Sequence, residues 1–342
     1  MIRLIPIFVS VLIGAAGCAS QGTASAPKEM RAIQMLDYGG PEVLKLSRVP
    51  VPEPAQGQVR IRVRAASVNP IDWKLRLDRA HRFGVIEFPR IPGNDIAGTI
   101  DELGPGVSDC KAGDAVIAAL QRAPQGGYAE YAIAPVRDIA PKPRNLTFEQ
   151  ASGIPTAGVA VWRYLIDAAE LAPGQRVLIH GGAGGVGSLA VQVAKARGAF
   201  VIATGSARNR DYLRSIGADE VIDYQAERFE DRVHDADIVF DTVGGETLER
   251  SPLVLRPGGI LVSIAGAPPV AKCEAARIRC PRPGRDEATG FGVALRQVAA
   301  LAAAGKLKIH VDRVFRLTEA AAAQELNREG HTRGKIVLRV TD

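Results

Sequence analysis

Gly182, Gly184 and Gly187 stand at the spacing G-x-G-x-x-G inside the run Val177-Leu-Ile-His-Gly-Gly-Ala-Gly-Gly-Val-Gly187. Glycine at these three steps answers three needs of one ligand. The first allows a tight turn, the second lets the backbone approach a pyrophosphate, and the third lets a helix pack close to a strand. Ala183, Gly185 and Val186 complete the turn between them. The apolar segment 176–179 precedes the turn, and the helical pattern Ser188-Leu-Ala-Val-Gln-Val-Ala-Lys-Ala-Arg197 follows at once. A helix N-terminus turns unpaired N–H groups and a positive dipole end toward an anion. Strand, turn and helix therefore come in the order a dinucleotide site requires. Without that order a glycine-rich turn could be only a loop.

The next apolar run, Ala199-Phe-Val-Ile-Ala203, ends in Thr204-Gly-Ser-Ala-Arg-Asn-Arg210. A site for NAD usually has an Asp or Glu here to accept hydrogen bonds from the ribose 2′-OH, whereas a site for NADP carries hydroxyls and arginine. No acid appears before Asp211. Ser206, Arg208 and Arg210 suit a 2′-phosphate through charge-assisted bonds, so NADP is the expected cofactor. The other reading leaves both arginines solvated at a helix start.

The elements that must hold these residues belong to a chain of 342 residues, long enough for about two domains. A hydrophobic content of 46% and a charged content of 23% describe an ordinary globular protein rather than a disordered one. The net charge is +6, but the basic residues are scattered, with no long Lys/Arg run and no interleaved aromatics, so no nucleic-acid partner is expected. No internal repeat is visible.

The first 29 residues read differently. Arg3 gives a short positive start, residues 4–16 are apolar, and Ala15-Ala-Gly-Cys18 follows. A short apolar stretch ending in small residues reads as a secretory signal, not a membrane span. Cys18 directly after the small residues resembles a bacterial lipobox, whose cysteine would carry a lipid anchor. Ala19 rather than Asp follows it, which by resemblance favours the outer membrane within the cell envelope. Residues 21–28 read as a flexible linker. A cytoplasmic reading is the alternative, with translation starting at Met30, because NADPH is a cytoplasmic reductant. The lipoprotein reading is preferred, since untranslated DNA rarely encodes such a signal in order. Of the other cysteines, Cys273 and Cys280 lie close in a loop-like stretch and either pair in an oxidising compartment or stay free. No Cys/His cluster marks a structural zinc site.

Further segments carry a likeness. Ala66-Ser-Val-Asn-Pro-Ile-Asp-Trp-Lys-Leu-Arg76, Ile91-Pro-Gly-Asn-Asp-Ile-Ala-Gly98, Gly126-Gly-Tyr-Ala-Glu-Tyr131, Phe240-Asp-Thr-Val-Gly-Gly245 and Thr332-Arg-Gly-Lys-Ile-Val-Leu338 stand in order around the glycine turn. With it they make residues 30–340 resemble the medium-chain dehydrogenase/reductase superfamily, in its zinc-independent branch of quinone oxidoreductases and enone reductases. The resemblance implies an α/β fold of two parts. A GroES-like, partly open β-barrel spans residues 30–150 and is completed by residues 308–342. A Rossmann domain with a doubly wound parallel sheet spans residues 151–290. The alternation in Val59-Arg-Ile-Arg-Val63 and the buried run Ala115-Val-Ile-Ala-Ala119 agree with strands in the first part. Relatives are commonly dimers, so a homodimer is the expected assembly, although no residue here marks an interface.

The zinc-dependent branch places a catalytic Cys where this chain has Asn69, and Gly-His-Glu where it has Gly93-Asn94-Asp95. Amides cannot replace thiolate and imidazole as ligands, so no metal is expected. Without a metal the substrate must already be electrophilic, such as a quinone or an α,β-unsaturated carbonyl. Hydride addition then needs donors for the developing oxyanion and a source of a proton. The candidates are Asn69 as an amide donor, Lys74 as a cationic donor and Asp72 as their orienter or a ribose contact. Asn69 and Asp72 also suit plain turn chemistry around Pro70. Related enoyl reductases carry a Tyr proton donor soon after this motif. Residues 78–83 hold none, which leaves His81 or water. By the same resemblance Thr156 should approach the nicotinamide or a phosphate, and Tyr224 should stack near the 2′-phosphate. Asp241 and Gly244 lie where the cofactor ribose would pass. Lys335 faces the cleft or is only a charge at a strand start. The competing reading is a cofactor-binding redox sensor or tethered structural protein without catalysis.

Overall fold

The computed structural model describes residues 28–120, 125–282 and 291–341. Strand β1 (Glu29–Met35) pairs antiparallel with β2 (Leu44–Pro50) as a separate ribbon. The first large sheet is built on β3 (Gln58–Val68), whose Val59, Ile61 and Val63 are fully buried at period two. After β3 comes helix α1 (Pro70–Arg76), then β4 (Asp95–Leu103), β5 (Ala115–Ala119), β6 (Tyr131–Pro135) and β7 (Ile139–Pro141). Helices α2 (Phe148–Ser152) and α3 (Pro155–Val161) lead out of this barrel, and α3 continues into a wider π-type segment at Trp162–Ala168.

The second sheet is parallel throughout. Its strands are β8 (Arg176–Ile179), β9 (Phe200–Gly205), β10 (Glu220–Asp223), β11 (Ala236–Asp241) and β12 (Leu255–Ser263). They lie in the order β10-β9-β8-β11-β12, the half-and-half winding of a dinucleotide fold. Helix α4 (Gly185–Ala196) follows β8, α5 (Arg210–Ser215) follows β9 and α6 (Gly245–Arg250) follows β11. Val177, Leu178 and Ile179 are buried from both faces, as a central parallel strand requires. Each such side chain contributes about 1.5–3 kcal/mol of burial. Gly198, at φ +82°, ends α4 in the left-handed cap that glycine adopts without strain.

The chain continues through α7 (Val270–Ala275) and α8 (Phe291–Ala303), then returns to the first sheet. Strand β13 (Val311–Arg316) and, after helix α9 (Ala320–Glu329), strand β14 (Lys335–Arg339) extend that sheet in the order β13-β14-β3-β4-β5-β7. One stretch differs from expectation. Cys273 lies on α7 rather than in a loop, because six residues are too few to show helical periodicity. Cys273 and Cys280 form a disulfide, tying α7 to the segment in which Arg279 bridges Ile260 of β12. Cys18 and its lipobox lie outside the described residues. Among those described, no helix is long and apolar enough to cross a membrane.

Helix α1 is pinned from behind. Arg76 is fully buried and donates to Gln324 Oε1 at 2.8 Å, Glu325 Oε1 at 2.5 Å and the Gly39 carbonyl at 2.9 Å, while Trp73 Nε1 donates to Asn327 Oδ1 at 3.0 Å. Removing one member of such a buried set strands the others. Arg76→Ala is therefore expected to cost about 3 kcal/mol, read as a lower urea midpoint. An unchanged midpoint would mean that α9 does not anchor α1.

Candidate functional site

Strand β8 delivers the turn 180–184 to the carboxyl end of the parallel sheet, and its glycines divide their tasks by geometry. Gly181 carries the left-handed turn, at φ +68°. A Cβ on Gly182 would meet Ala203 Cβ at 2.9 Å and Leu213 Cδ2 at 3.0 Å, so this glycine lets the turn sit on β9 and α5. A Cβ on Gly187 would lie 2.1 Å from the Gly181 carbonyl oxygen, which fixes α4 against its own turn. Gly184 is different. A Cβ there would find only the Gly181 oxygen, at 3.4 Å. It caps α4, with the first helical residues Gly185 and Val186 half-buried behind it. The middle glycine thus keeps an open approach to the helix N-terminus, which is what an entering phosphate needs.

The cleft in front of the turn has a volume of about 510 Å³ and is lined by Ala183, Gly184, Ser206, Arg208, Tyr224 and Thr242, among others. That volume suits a dinucleotide's adenosine end. Ser206 and Arg208 leave β9 beside it, with the Arg208 guanidinium held by the His331 carbonyl at 2.6 Å. Tyr224 also lines the cleft, 53% exposed, and its N–H lies 3.3 Å from the Gly205 carbonyl beside Ser206. Arg210, expected to share the phosphate, does not line the cleft. It is the first residue of α5 and is exposed, because the short helical turn at 207–209 carries it past the opening. Arg228, His331 and Thr332 do line the cleft. They come from distant segments; Thr332 alone of the three stands in a motif quoted above, and nothing local assigned any of them to the cleft. Arg208→Ala should therefore weaken NADPH binding by about tenfold or more with NADH little changed, while Arg210→Ala leaves both unaltered. Titration of each variant with both nucleotides checks this, and equal losses for the two nucleotides in Arg208→Ala would show that it does not read the phosphate.

Asp241 and Gly244 also occupy a different role from the one expected. Asp241 is fully buried and accepts hydrogen bonds from Val243 N–H, Gly244 N–H and the Ser263 hydroxyl, the last at 2.6 Å. Its carboxylate is engaged in shaping the turn after β11, with Gly244 at φ +80° in the same turn, and neither lines the cleft. Their neighbours Thr242 and Val243 do.

At the junction of the two domains the chain assembles a buried polar cluster. Asn69 caps α1 and is buried. Its Nδ2 donates to Asp95 Oδ2 at 2.9 Å, and its Oδ1 accepts from Lys335 Nζ at 2.6 Å. Asp95 Oδ1 accepts from both the amide and the hydroxyl of Thr156, at 2.9 and 2.5 Å, and Ser67 donates to its other oxygen at 3.2 Å. Lys335 Nζ also stands 4.0 Å from Asp95. Asp72 Oδ2 accepts the Asn69 backbone N–H and the Tyr128 hydroxyl, both at 2.9 Å, so it shapes the loop that aims Asn69. Burial pushes the Asp72 carboxyl up to about 7, against the lowering effect of those two donors. Burial also holds the Lys335 ammonium below the usual lysine range, opposed by Asp95 and Asp72. The cluster reaches the cofactor turn through Lys335. A Cβ on Gly185 would meet Lys335 Cδ at 2.8 Å, so the lysine stem lies against the start of α4 while its head lies at Asn69.

Lys74 takes no part in this cluster. It is exposed, with its ammonium 5.6 Å from the centre of the neighbouring Trp73 ring. On α1 it falls on the face opposite Asp72, and Lys335 supplies the cation instead. The residues that the sequence reading missed are Asp95 and Tyr128. Both lie within the quoted motifs, but only the pairing of β3 with β4 brings Asp95 to Asn69. His81 is exposed at φ +53°, and its Nδ1 lies 3.1 Å from the Tyr38 hydroxyl.

The Asp72 shift has a testable consequence. Its carboxyl titrates higher in the folded protein than in the unfolded chain, so the stability it contributes is fully present below about pH 4 and is lost as pH rises through about 7. Asp72→Asn keeps an acceptor for Asn69 N–H and removes the titration. The variant should gain on the order of 2.5 kcal/mol over the parent chain between pH 5 and pH 8, measured by urea unfolding at both values. Parallel pH profiles for the two proteins would rule out a buried ionisation at Asp72.

Among the described residues no three His, Cys, Asp or Glu side chains stand together as a metal site. The alcohol dehydrogenase GroES-like domain family matches residues 55–144, and the zinc-binding dehydrogenase family matches residues 216–338. The latter stretch includes neither Asn69 nor Asn94. Among known proteins, the chain is 36% identical over 327 residues to the chloroplastic NADPH-dependent alkenal/one oxidoreductase of Arabidopsis thaliana, covering 92% of this chain and 81% of that one. The quinone oxidoreductase structure from Coxiella burnetii superposes with a TM-score of 0.81 at 37% identity, covering 92% of this chain and all of that one. A mycobacterial protein solved in complex with NADPH superposes with a TM-score of 0.80 at 31% identity over 91% of this chain and 100% of that one. With the parallel sheet, the glycine turn and the returning C-terminal strands all in place, this chain belongs to the medium-chain dehydrogenase/reductase superfamily, alongside its quinone and alkenal/one oxidoreductases.

Proposed function

We propose that the protein reduces quinones and α,β-unsaturated carbonyls at the expense of NADPH. Lys335 is the observation that carries this reading, since one side chain joins the phosphate-binding turn to the buried cluster around Asn69. The open face of Gly184 and the N–H groups of α4 fit the pyrophosphate, and Ser206 and Arg208 fit the 2′-phosphate. NADPH supplies the hydride when bound. The chain's own residues then handle charge and proton. Asn69 Nδ2 directs one of its two protons to Asp95, and Lys335 Nζ directs one of its three to Asn69. The remaining N–H groups are the donors for an oxygen that gains negative charge, and they are held in place before the reaction begins. Asp95 fixes both donors, and Asp72 with Tyr128 fixes the loop beneath them. An activating metal is not needed for a substrate that is electrophilic already.

The test is oxidation of NADPH and NADH with 1,4-benzoquinone, 9,10-phenanthrenequinone and a short 2-alkenal. Turnover that prefers NADPH is expected. Tight NADPH binding with no turnover on any acceptor would replace the enzyme with a cofactor-binding sensor. The proposal extends to location and assembly. Cys18 carries a lipid anchor in the cell envelope, and the Cys273–Cys280 disulfide supports an oxidising compartment. The polypeptide acts as a homodimer. Incorporation of labelled palmitate that is lost in Cys18→Ser tests the anchor, and sedimentation equilibrium tests the dimer.

A further inference from the structure

The segment between α9 and β14 belongs to the barrel domain, yet it is fastened to the cofactor domain at several points. Gly334 N–H donates to the Ala183 carbonyl at 2.9 Å, and Gly334 bridges Gly184. The His331 carbonyl holds Arg208. Arg333, half-buried, donates through Nε to Asn209 Oδ1 at 2.9 Å and through Nη2 to the Arg208 carbonyl at 3.1 Å, with its guanidinium 5.2 Å from the centre of the Tyr212 ring. Asn209 is buried, and its Nδ2 donates to Ser206 Oγ at 3.2 Å.

These bonds have a fixed direction. Arginine can only donate. Asn209 must therefore present its oxygen to Arg333, which turns its NH₂ toward Ser206. Ser206 Oγ must then accept, and its own proton is left to point away from Asn209 on the side of the cleft that Ser206 lines. A phosphate oxygen accepts only, so a hydroxyl polarised in this way is a prepared donor for it. We propose that Arg333 is a positioning residue for cofactor specificity: from the other domain, through Asn209, it sets Ser206 as a hydrogen-bond donor to the 2′-phosphate of NADP. This rests on the NADP reading above. It makes preference for the phosphorylated cofactor depend on contact between the two domains, because the guanidinium arrives on the segment that leads into β14 of the barrel.

The test is calorimetric titration of the whole protein with 2′,5′-ADP and with 5′-ADP, which carry the adenosine end with and without the distinguishing phosphate. Wild type should bind 2′,5′-ADP the more tightly. Arg333→Gln can offer its carbonyl oxygen to Asn209, which frees that amide to flip. It should lose about tenfold for 2′,5′-ADP, with less than a twofold change for 5′-ADP. Arg333→Lys, which can only donate, should keep most of the preference. Ser206→Ala should show the same selective loss, and adding Arg333→Gln to it should cost little more. Equal losses for both ligands in Arg333→Gln, full additivity of the two changes, or an unaltered 2′,5′-ADP affinity in Ser206→Ala would each overturn the proposal. Should Arg333→Gln fail to fold, the Ser206→Ala and Arg333→Lys results still decide. A wild type that binds the two ligands equally would instead overturn the NADP reading itself.

Discussion

Gly184→Asp should abolish dinucleotide binding while leaving the fold intact or slightly firmer. The backbone at Gly184 is extended, with φ −75° and ψ 177°, so any L-residue can occupy it. A Cβ there meets only one backbone oxygen, at 3.4 Å. Asp is also among the best residues for capping a helix, and it would satisfy α4's free N–H groups and complement its dipole by about 1 kcal/mol. Those are the same N–H groups that a pyrophosphate needs. The variant therefore places a competing carboxylate, and its negative charge, at the phosphate position. Affinity for NADPH should fall by roughly two orders of magnitude or more, about 3 kcal/mol, with the urea midpoint equal to or above that of the parent. Calorimetric titration and urea unfolding on the same preparation separate the two effects. Unchanged NADPH affinity would remove the glycine turn from the site.

Lys335→Met is the second change with a large expected effect. Methionine keeps most of the stem's volume and its contact with Gly185, but it removes the ammonium that holds Asn69 Oδ1 at 2.6 Å. The Asn69 amide is then free to turn, and Asp95 loses its nearest cation, 4.0 Å away. Loss of one donor aimed at a developing oxyanion costs on the order of 10²–10³ in kcat. NADPH affinity should change far less, since the phosphates are held by the turn and the loop at Ser206. Because burial holds the ammonium below the usual lysine range, the parent enzyme should also lose activity on an alkaline limb that is absent in the variant. A weakened NADPH affinity with kcat unchanged would assign Lys335 to the cofactor alone.

The cofactor domain was legible because its signals are local. A parallel strand buried on both faces is a continuous apolar run, a phosphate-binding turn needs glycine within a few residues, and the helix follows at once. The absence of an acid after the second strand, with Ser206 and Arg208 in its place, is likewise a feature of adjacent residues. The amides at Asn69 and Asn94 spoke against zinc ligation for the same reason, since ligand chemistry is a property of the residue itself. Where the sequence misled, the question was one of direction. Lys74 and Arg210 carry the right charge near the right motifs, but a helix turns each residue by about 100°, and both face solvent. Asp241 stands at the right strand end, but its carboxylate is engaged by its own turn.

By itself, then, the sequence determined the two-part α/β architecture, the dinucleotide turn and the character of the cofactor's distinguishing phosphate, because each is written in neighbouring residues. Only the tertiary structure decided which cation serves Asn69, that Asp95 and Tyr128 complete the cluster, and that Arg333 reaches across to Asn209. Lys335 and Asn69 are 266 positions apart. The two meet because β14 pairs with β3 beside the start of α4, and no local pattern encodes a contact that depends on the closing of a sheet by its last strand.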